Sequence, residues 1–358
     1  MKKAIKMTAA LAAVGLAAAC GSKPVSSSSV SSSTASSSSS FSACMVTDTG
    51  GIDDHSFNAA AWAGMQKAQA DGKAKVRYVQ STTENDYVPN INSLVSQNCN
   101  LVVTVGGLMG DATKSAAAAH SSQKFAIVDS NSIAPNVKGL EFNTAQGAFL
   151  GGYLAAGMSK SGKVATFGGL NIGPVTVYMD GFWEGVQYYN KQHNTNVQVL
   201  GWNETTQQGS FANSFTDQNA GKQLTSGFVS QGADIIFPVA GGTGLGALAA
   251  ARQSNGALTG IWVDTDGCVS AANYCSVILT SVLKGISDAV TKTVEDSSAG
   301  NFSESAYIGT LANGGTGLAS FHDFASKVPA SLQSELATVK QNIINGTITI
   351  TSKAQPTS

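Results

Sequence analysis

From about residue 43 onward, short continuous apolar runs alternate with longer stretches in which apolar residues recur every three or four positions. ACMVTD precedes SFNAAAWAGMQKAQAD, KVRYVQS precedes YVPNINSLVSQN, and LVVTVGG, KFAIVDS, KVATFGGL, VQVLGWN and ADIIFPVA follow, interleaved with AFLGGYLAAGMSK, VYMDGFWEGVQYYNKQ, AGKQLTSGFVSQG and LGALAAARQSNG. Apolar runs without a polar face suit strands buried on both sides, and alternation with helices joined by right-handed crossovers predicts an α/β chain of doubly wound parallel sheets. The strands are too many for one such sheet, so the pattern divides into two lobes joined by a hinge. Residues 43–146 plus 265–300 are expected in lobe 1 and 147–264 plus 301–352 in lobe 2, the chain returning to lobe 1 at SVILTSVLKGISDAVTKTVED. A last helix over Ser331–Ile344 and a strand TITIT would complete lobe 2. A hinge between lobes makes a cleft that can close on a ligand.

The N-terminus is built differently. Lys2, Lys3 and Lys6 precede an apolar run from Met7 to Ala19, which reads as a signal peptide over residues 1–19 and is short for a membrane span. Leu16-Ala-Ala-Ala-Cys20-Gly-Ser resembles the lipobox of bacterial lipoproteins, with Ala17 where leucine is usual, and predicts a lipidated Cys20. Residues 20–42, nearly all serine from Ser26 on, have too little apolar surface to offset ordering entropy and read as a tether. The expected location is the extracytoplasmic face of the cell membrane, anchored through Cys20.

A net charge of −1 provides no basic face for nucleic acid, and a charged fraction of 12% points to well-buried α/β structure. Cys44, Cys99, Cys268 and Cys275 are an even set in an exported chain. Cys44 and Cys99 each stand before an apolar run, at the same end of neighbouring parallel strands, so the pairs Cys44–Cys99 and Cys268–Cys275 are predicted; free buried thiols are the alternative. No zinc spacing is present.

The polar residues concentrate in VTDTGGIDDHSFN. Asp48 falls at the carboxyl end of a strand, where open α/β sheets bind ligands, and Asp54 or Ser56 can cap the following helix. Phe57 continues the stripe Ala61, Met65, Ala68, and that periodicity fits a core residue as well as a cleft wall. An EF-hand is excluded by the missing terminal glutamate. ADIIFPVAGGTGLGALAAA places Gly242, Gly244 and Ala247 in a G-x-G-x-x-A loop with Asp264 about twenty residues on, but the motif lies outside the first βαβ unit of an exported chain, which argues against a dinucleotide cofactor. No G-x-S-x-G occurs, and His55, His120, His193 and His322 have no triad or zinc spacing, His55 reading as a solvated loop residue. No catalytic residue, metal site or cofactor is expected.

In VTDTGGIDDHSFN, FAIVDS with GLEFNTAQGAFLGGYLAA, GADIIFPVAGGTGLG, WVDTDG and LTSVLK, the chain resembles the basic membrane protein family, lipid-anchored substrate-binding proteins of ABC importers that bind purine nucleosides. The resemblance covers nearly all of the mature part. It implies a type I periplasmic-binding-protein fold, a purine nucleoside as ligand, and a permease and an ATPase as partners. It further implies that Phe57 and Phe215 sandwich the base, with Phe211 a rival for the second place. Asp48, Asn58 and Asp129 would come from the first lobe and a backbone group of Gly241 from the second, with Asp266 and Lys284 completing the polar contacts and Asp264 an alternative to Asp266. Stacking on an aromatic is worth about 1–3 kcal/mol per base, and carboxylates suit the donors of ribose. Gly107-Leu108, where many members have an aromatic, and a longer Phe211–Asp217 segment depart from the family. A receptor of the same fold for a sugar or an autoinducer-like molecule is the alternative.

Overall fold

The computed structural model describes residues 39–356. The signal peptide, Cys20 and most of the expected tether lie outside them. In chain order the first lobe opens with β1 (Ser42–Thr47), α1 (Phe57–Ala70), β2 (Lys75–Val79), α2 (Tyr87–Ser96), β3 (Leu101–Val105), α3 (Gly110–Ala119), β4 (Lys124–Val128) and β5 (Val137–Phe142). The chain continues through α4 (Thr144–Met158), β6 (Lys163–Gly168), α5 (Gly173–His193), β7 (Gln198–Leu200), the short ribbon β8 (Trp202–Asn203) and β9 (Gln208–Gly209), α6 (Gln218–Ser230), β10 (Ile235–Val239), α7 (Gly244–Gln253), β11 (Thr259–Asp264), α8 (Gly267–Ser270) and β12 (Ile278–Lys284). It ends with α9 (Ile286–Ser298), β13 (Tyr307–Gly309), β14 (Thr316–Leu318) and α10 (Ala330–Ile344).

Two six-stranded sheets result, ordered β13-β5-β4-β3-β1-β2 and β14-β12-β11-β10-β6-β7, every pairing parallel except β12 with β14. Helices cover both faces of each sheet, so LVVTV of β3 and IIFPV of β10 are buried at every position, which is why they lack alternation. Chain order reverses between β1 and β3 in one sheet and between β6 and β10 in the other. At such reversals the loops diverge and leave a crevice at the carboxyl ends of the strands.

In the second lobe α4 is apolar on every side and lies directly on α5. A Cβ added at Gly152 would fall 2.0 Å from the carbonyl oxygen of Phe182, and one at Gly185 would fall 2.0 Å from that of Phe149. Glycine at these two places lets the helix backbones touch.

Four expectations are corrected. The chain returns to the first lobe at Gly285, not at 265, because SVILTSVLK pairs with β11 inside the second sheet and only α9 packs against α1. β13, expected in lobe 2, extends the first sheet by pairing with β5. TITIT is no strand: Ile348 and Ile350 are buried in the second core, and the Thr351 amide donates to the Glu184 carboxylate on α5 instead of to a neighbouring strand. Ser42 already belongs to β1 and Phe41 packs on the first core, so ordered structure begins inside the expected tether.

The chain crosses between lobes after Phe142, at Gly285 and over residues 310–315. The crossings are bonded to one another, Asn143 N–H donating to Gly309 O at 2.7 Å and Gly285 N–H to Gly315 O at 2.9 Å. Disulfides join Cys44 to Cys99 and Cys268 to Cys275.

Candidate functional site

Between the lobes, at both chain reversals, a cavity is lined by Asp48, Asp54, Phe57, Asn58 and Asp129 from the first lobe and by Tyr178, Phe215, Gly241, Asp264 and Lys284 from the second. Asp48 follows β1 and is buried, its carboxylate accepting from the Gly50 amide at 2.8 Å and from Asn58 Nδ2 at 2.7 Å. Burial pushes it up to about 6 despite these donors. Asp54 caps α1, accepting from the amides of Ser56 at 3.0 Å, Asn58 at 2.7 Å and Ala59 at 3.0 Å, yet desolvation raises it to about 7. Because Asn58 Nδ2 is turned to carboxylates, Oδ1 is its free acceptor, and that oxygen is buried without a hydrogen-bond partner.

Phe57 is the first residue of α1 and packs partly against the first core while its ring reaches the cavity. Ala61, Met65 and Ala68 below it on the same stripe are fully buried. The stripe is therefore core along its length and cavity wall at its tip.

Asp129 and Asp264 occupy equivalent places in the two lobes. Each ends a strand one step beyond the chain reversal, after FAIV in β4 and after IWV in β11, and each has positive φ, 63° and 64°. Aspartate tolerates this left-handed conformation, which turns the side chain out of the strand into the crevice. Asp264 accepts from the Tyr178 hydroxyl at 2.6 Å, and Asp129 pairs with Lys284 at 2.6 Å. Burial raises both carboxyls, while the Lys284 charge opposes the rise in each. The phenol of Tyr178, fully buried and facing these carboxylates, is pushed well above its usual range.

Lys284 ends β12 and is buried. Its ammonium stands 4.9 Å from the centre of the Phe57 ring, 5.5 Å from that of Phe142 and 5.8 Å from that of Tyr178, so apolar faces and one carboxylate surround it.

Phe215 precedes α6 on a loop pinned by Ser214 Oγ, which accepts from the amides of Thr216 and Asp217, each at 3.0 Å. Its ring lies over Gly169 and Gly241, neither of which has a side chain to block it. Phe211 does not reach the cavity: it sits on Gly168 beside β6 and meets Trp202 edge-on at 6.0 Å. Gly241 lines the cavity with φ of 51°.

Asp266 is a correction. It caps α8 through the Cys268 amide at 3.0 Å and pairs with His322 at 2.7 Å, outside the cavity wall. Asp264 takes the inward place because it is still the strand's own last residue. Asp54 lines the wall as well as capping α1, and Tyr178, one aromatic among several on an amphipathic helix, carries no local sequence signal of its place in the cavity. The repeat of an apolar run ending in aspartate, FAIVD and IWVD, was a signal available for Asp264.

Four carboxylates face one ammonium in this cavity. An anion would meet like charge, whereas a neutral molecule rich in N–H and O–H donors with flat apolar faces meets acceptors and rings together. Two similar lobes, three hinge crossings and a buried polar cleft make a bilobal fold with a ligand-sized cleft between its lobes. A solute-binding protein of an ABC transporter system from Aeropyrum pernix K1 superposes with a TM-score of 0.78 at 23% identity, over 89% of this chain and 94% of that one. The arabinose-binding protein AraP of Geobacillus stearothermophilus gives 0.59 at 16% identity, over 81% and 99%.

The model of the family described as ABC transporter substrate-binding protein, PnrA-like, matches residues 41–354, and the chain belongs to that family. It is 33% identical over 374 residues to the CD4+ T-cell-stimulating antigen of Listeria monocytogenes, covering 99% of this chain and all of that protein. It is 28% identical over 371 residues to the ABC transporter nucleoside-binding protein BmpA of Lactococcus lactis, covering 98% and 99%. With basic membrane protein A of Borreliella afzelii it shares 30% over 302 residues, 83% and 87% of the two chains. The family is one of transporter substrate-binding components, not enzymes, and implies a permease and an ATPase as partners.

Proposed function

We propose that this chain is a lipid-anchored extracytoplasmic receptor that captures a purine nucleoside between its lobes and presents the closed form to a membrane permease and its ATPase. The observation that carries this reading is the pairing of Phe57 and Phe215, from opposite lobes, around a cavity lined by carboxylates. A base has two π-faces to cover, and ribose hydroxyls are donors for Asp48, Asp129 and Asp264. The unpartnered Asn58 Oδ1 offers an acceptor to a base N–H, Lys284 a donor to a base nitrogen or oxygen, and Gly241 a close backbone approach. The printed name of the Lactococcus lactis relative, a nucleoside-binding protein, supports the same ligand class. Cys20 is the proposed lipidation site, and residues beyond it the tether.

Titration calorimetry tests the reading on the chain from residue 21 onward, against adenosine, guanosine, inosine, uridine, ribose and galactose. Saturable heat with purine nucleosides, lost in Phe57→Ala, is the expected result. Heat with sugars alone overturns it. Intact-mass measurement of the membrane-extracted protein tests the anchor, which requires a diacylglyceryl addition that Cys20→Ser removes.

A further inference from the structure

The contacts across the mouth of the cleft converge on a residue outside the cavity wall. His55 lies in the first-lobe turn between β1 and α1, exposed and with φ of 57°. Its carbonyl oxygen accepts from Trp262 Nε1 at 3.2 Å and from Thr265 Oγ1 at 3.0 Å, and its ring Nδ1 meets the carbonyl oxygen of Ser270. All three partners belong to the second lobe. Facing a carbonyl, Nδ1 carries the proton, a tautomer assigned from its partner.

The receiving surface is braced. Ser270 sits inside the loop closed by Cys268–Cys275, its hydroxyl 2.8 Å from that of Thr265, and Asp266 ties the same loop to His322 at 2.7 Å. His55, exposed as expected, thus also bonds across the two lobes.

We propose that His55 is a closure latch, a positioning residue that binds the first lobe to the 265–270 segment only when the cleft is shut and so sets how long a captured solute is held. Its three bonds break together when the lobes part, and none of them touches the space a ligand would fill. Bonds present only in the closed state slow release without altering encounter. The open form does not contain them, so the latch adds nothing to its stability and lowers only the free energy of the closed form, including the minor closed fraction of the ligand-free protein, which its loss depletes.

The test uses the full chain purified in detergent, with His55→Asn, which tolerates positive φ but has no imidazole, and Thr265→Val, which removes the hydroxyl at nearly equal volume. Guanosine release is followed by stopped-flow fluorescence, and the distance between spin labels at exposed Gln66 and Gln223 is measured with and without guanosine. Each variant is expected to release guanosine roughly 3- to 10-fold faster, with the association rate within about twofold of wild type. The closed population falls, the double variant is less than additive, and the ligand-free Tm stays unchanged. Unaltered release, or a ligand-free Tm that falls in step with the release rate, overturns the latch. The kinetic arm rests on the nucleoside reading; if guanosine does not bind wild type, that reading fails, and the label distances of the ligand-free variants still decide the latch, a wild-type distribution overturning it.

Discussion

Lys284 Nζ lies 2.6 Å from Asp129, and the two residues come from different lobes. The pair spans the cleft with Lys284 and Asp129 both nearly removed from solvent, their side chains 3% and 8% exposed. It also leaves three other buried carboxylates without a cation of their own in the cavity. A ligand's donors would supply what one lysine cannot.

Removing that lysine is predicted to be costly. Lys284→Met leaves Asp129 buried and unpaired, a loss of about 3–5 kcal/mol in such settings. Chemical denaturation should show a loss of that order, and Asp129→Asn added to Lys284→Met should recover more than half of it. Equal instability of the single and double variants would show that the pair is not the cause.

The two phenylalanines are predicted to be separable from their neighbour. Phe57→Ala and Phe215→Ala should each weaken guanosine binding by about 1–3 kcal/mol, read by calorimetry. Phe211→Ala, which leaves the cavity wall whole, should keep the affinity within about twofold while lowering Tm through lost packing on Gly168 and Trp202.

Acidity should act on binding in a definite direction. Burial raises Asp48 to about 6 and Asp54 to about 7 from ordinary values of 3.8, so both take up protons in the closed protein. Groups raised in the folded state cost no stability below 3.8 and their full cost above the folded values, so the empty closed form loses stability as pH climbs from 4 to 7. A ligand whose hydroxyls need ionised acceptors behaves oppositely: affinity should rise between pH 5 and 8, and Asp48→Asn should flatten the lower part of the rise. Calorimetry across that range checks it, and affinity falling with pH would contradict the donor role of the ligand.

Much of the fold was legible because parallel strands buried on both faces appear as unbroken apolar runs, and β3, β4, β6, β10 and β11 all fall on such runs. The return to the first lobe was not, because SVILTSVLK and the helix after it form one strand–helix unit in sequence while the lobe boundary falls between them at Gly285. TITIT alternates like a strand, but its isoleucines fill a helix-lined core. At the site, Asp48 was readable from a strand end, whereas periodicity left Phe57 open between core and wall and only the family resemblance pointed to Asn58. Choosing Asp264 over Asp266 required knowing which residue still belonged to the strand, and Tyr178 is brought to Asp264 only by tertiary packing.

The long-range disulfide offers a further check. Cys44–Cys99, 55 residues apart, ties β1 to the segment leading into β3, at the amino ends of the strands and away from the cleft. Cys44→Ala with Cys99→Ala should cost about 2–4 kcal/mol in denaturant midpoint analysis, and the seven-residue Cys268–Cys275 loop less.

The bonded hinge crossings also bear on how the molecule is made. The first sheet lacks its outer strand until Tyr307–Gly309 has been synthesised, and the second lacks β14 until Leu318. Neither lobe can finish while the chain is still short, so the growing polypeptide has no complete unit to lock into prematurely. Each lobe thus gains its full set of strands only near the end of the chain, and the threading that delays their completion is the same threading that gives the molecule its hinge.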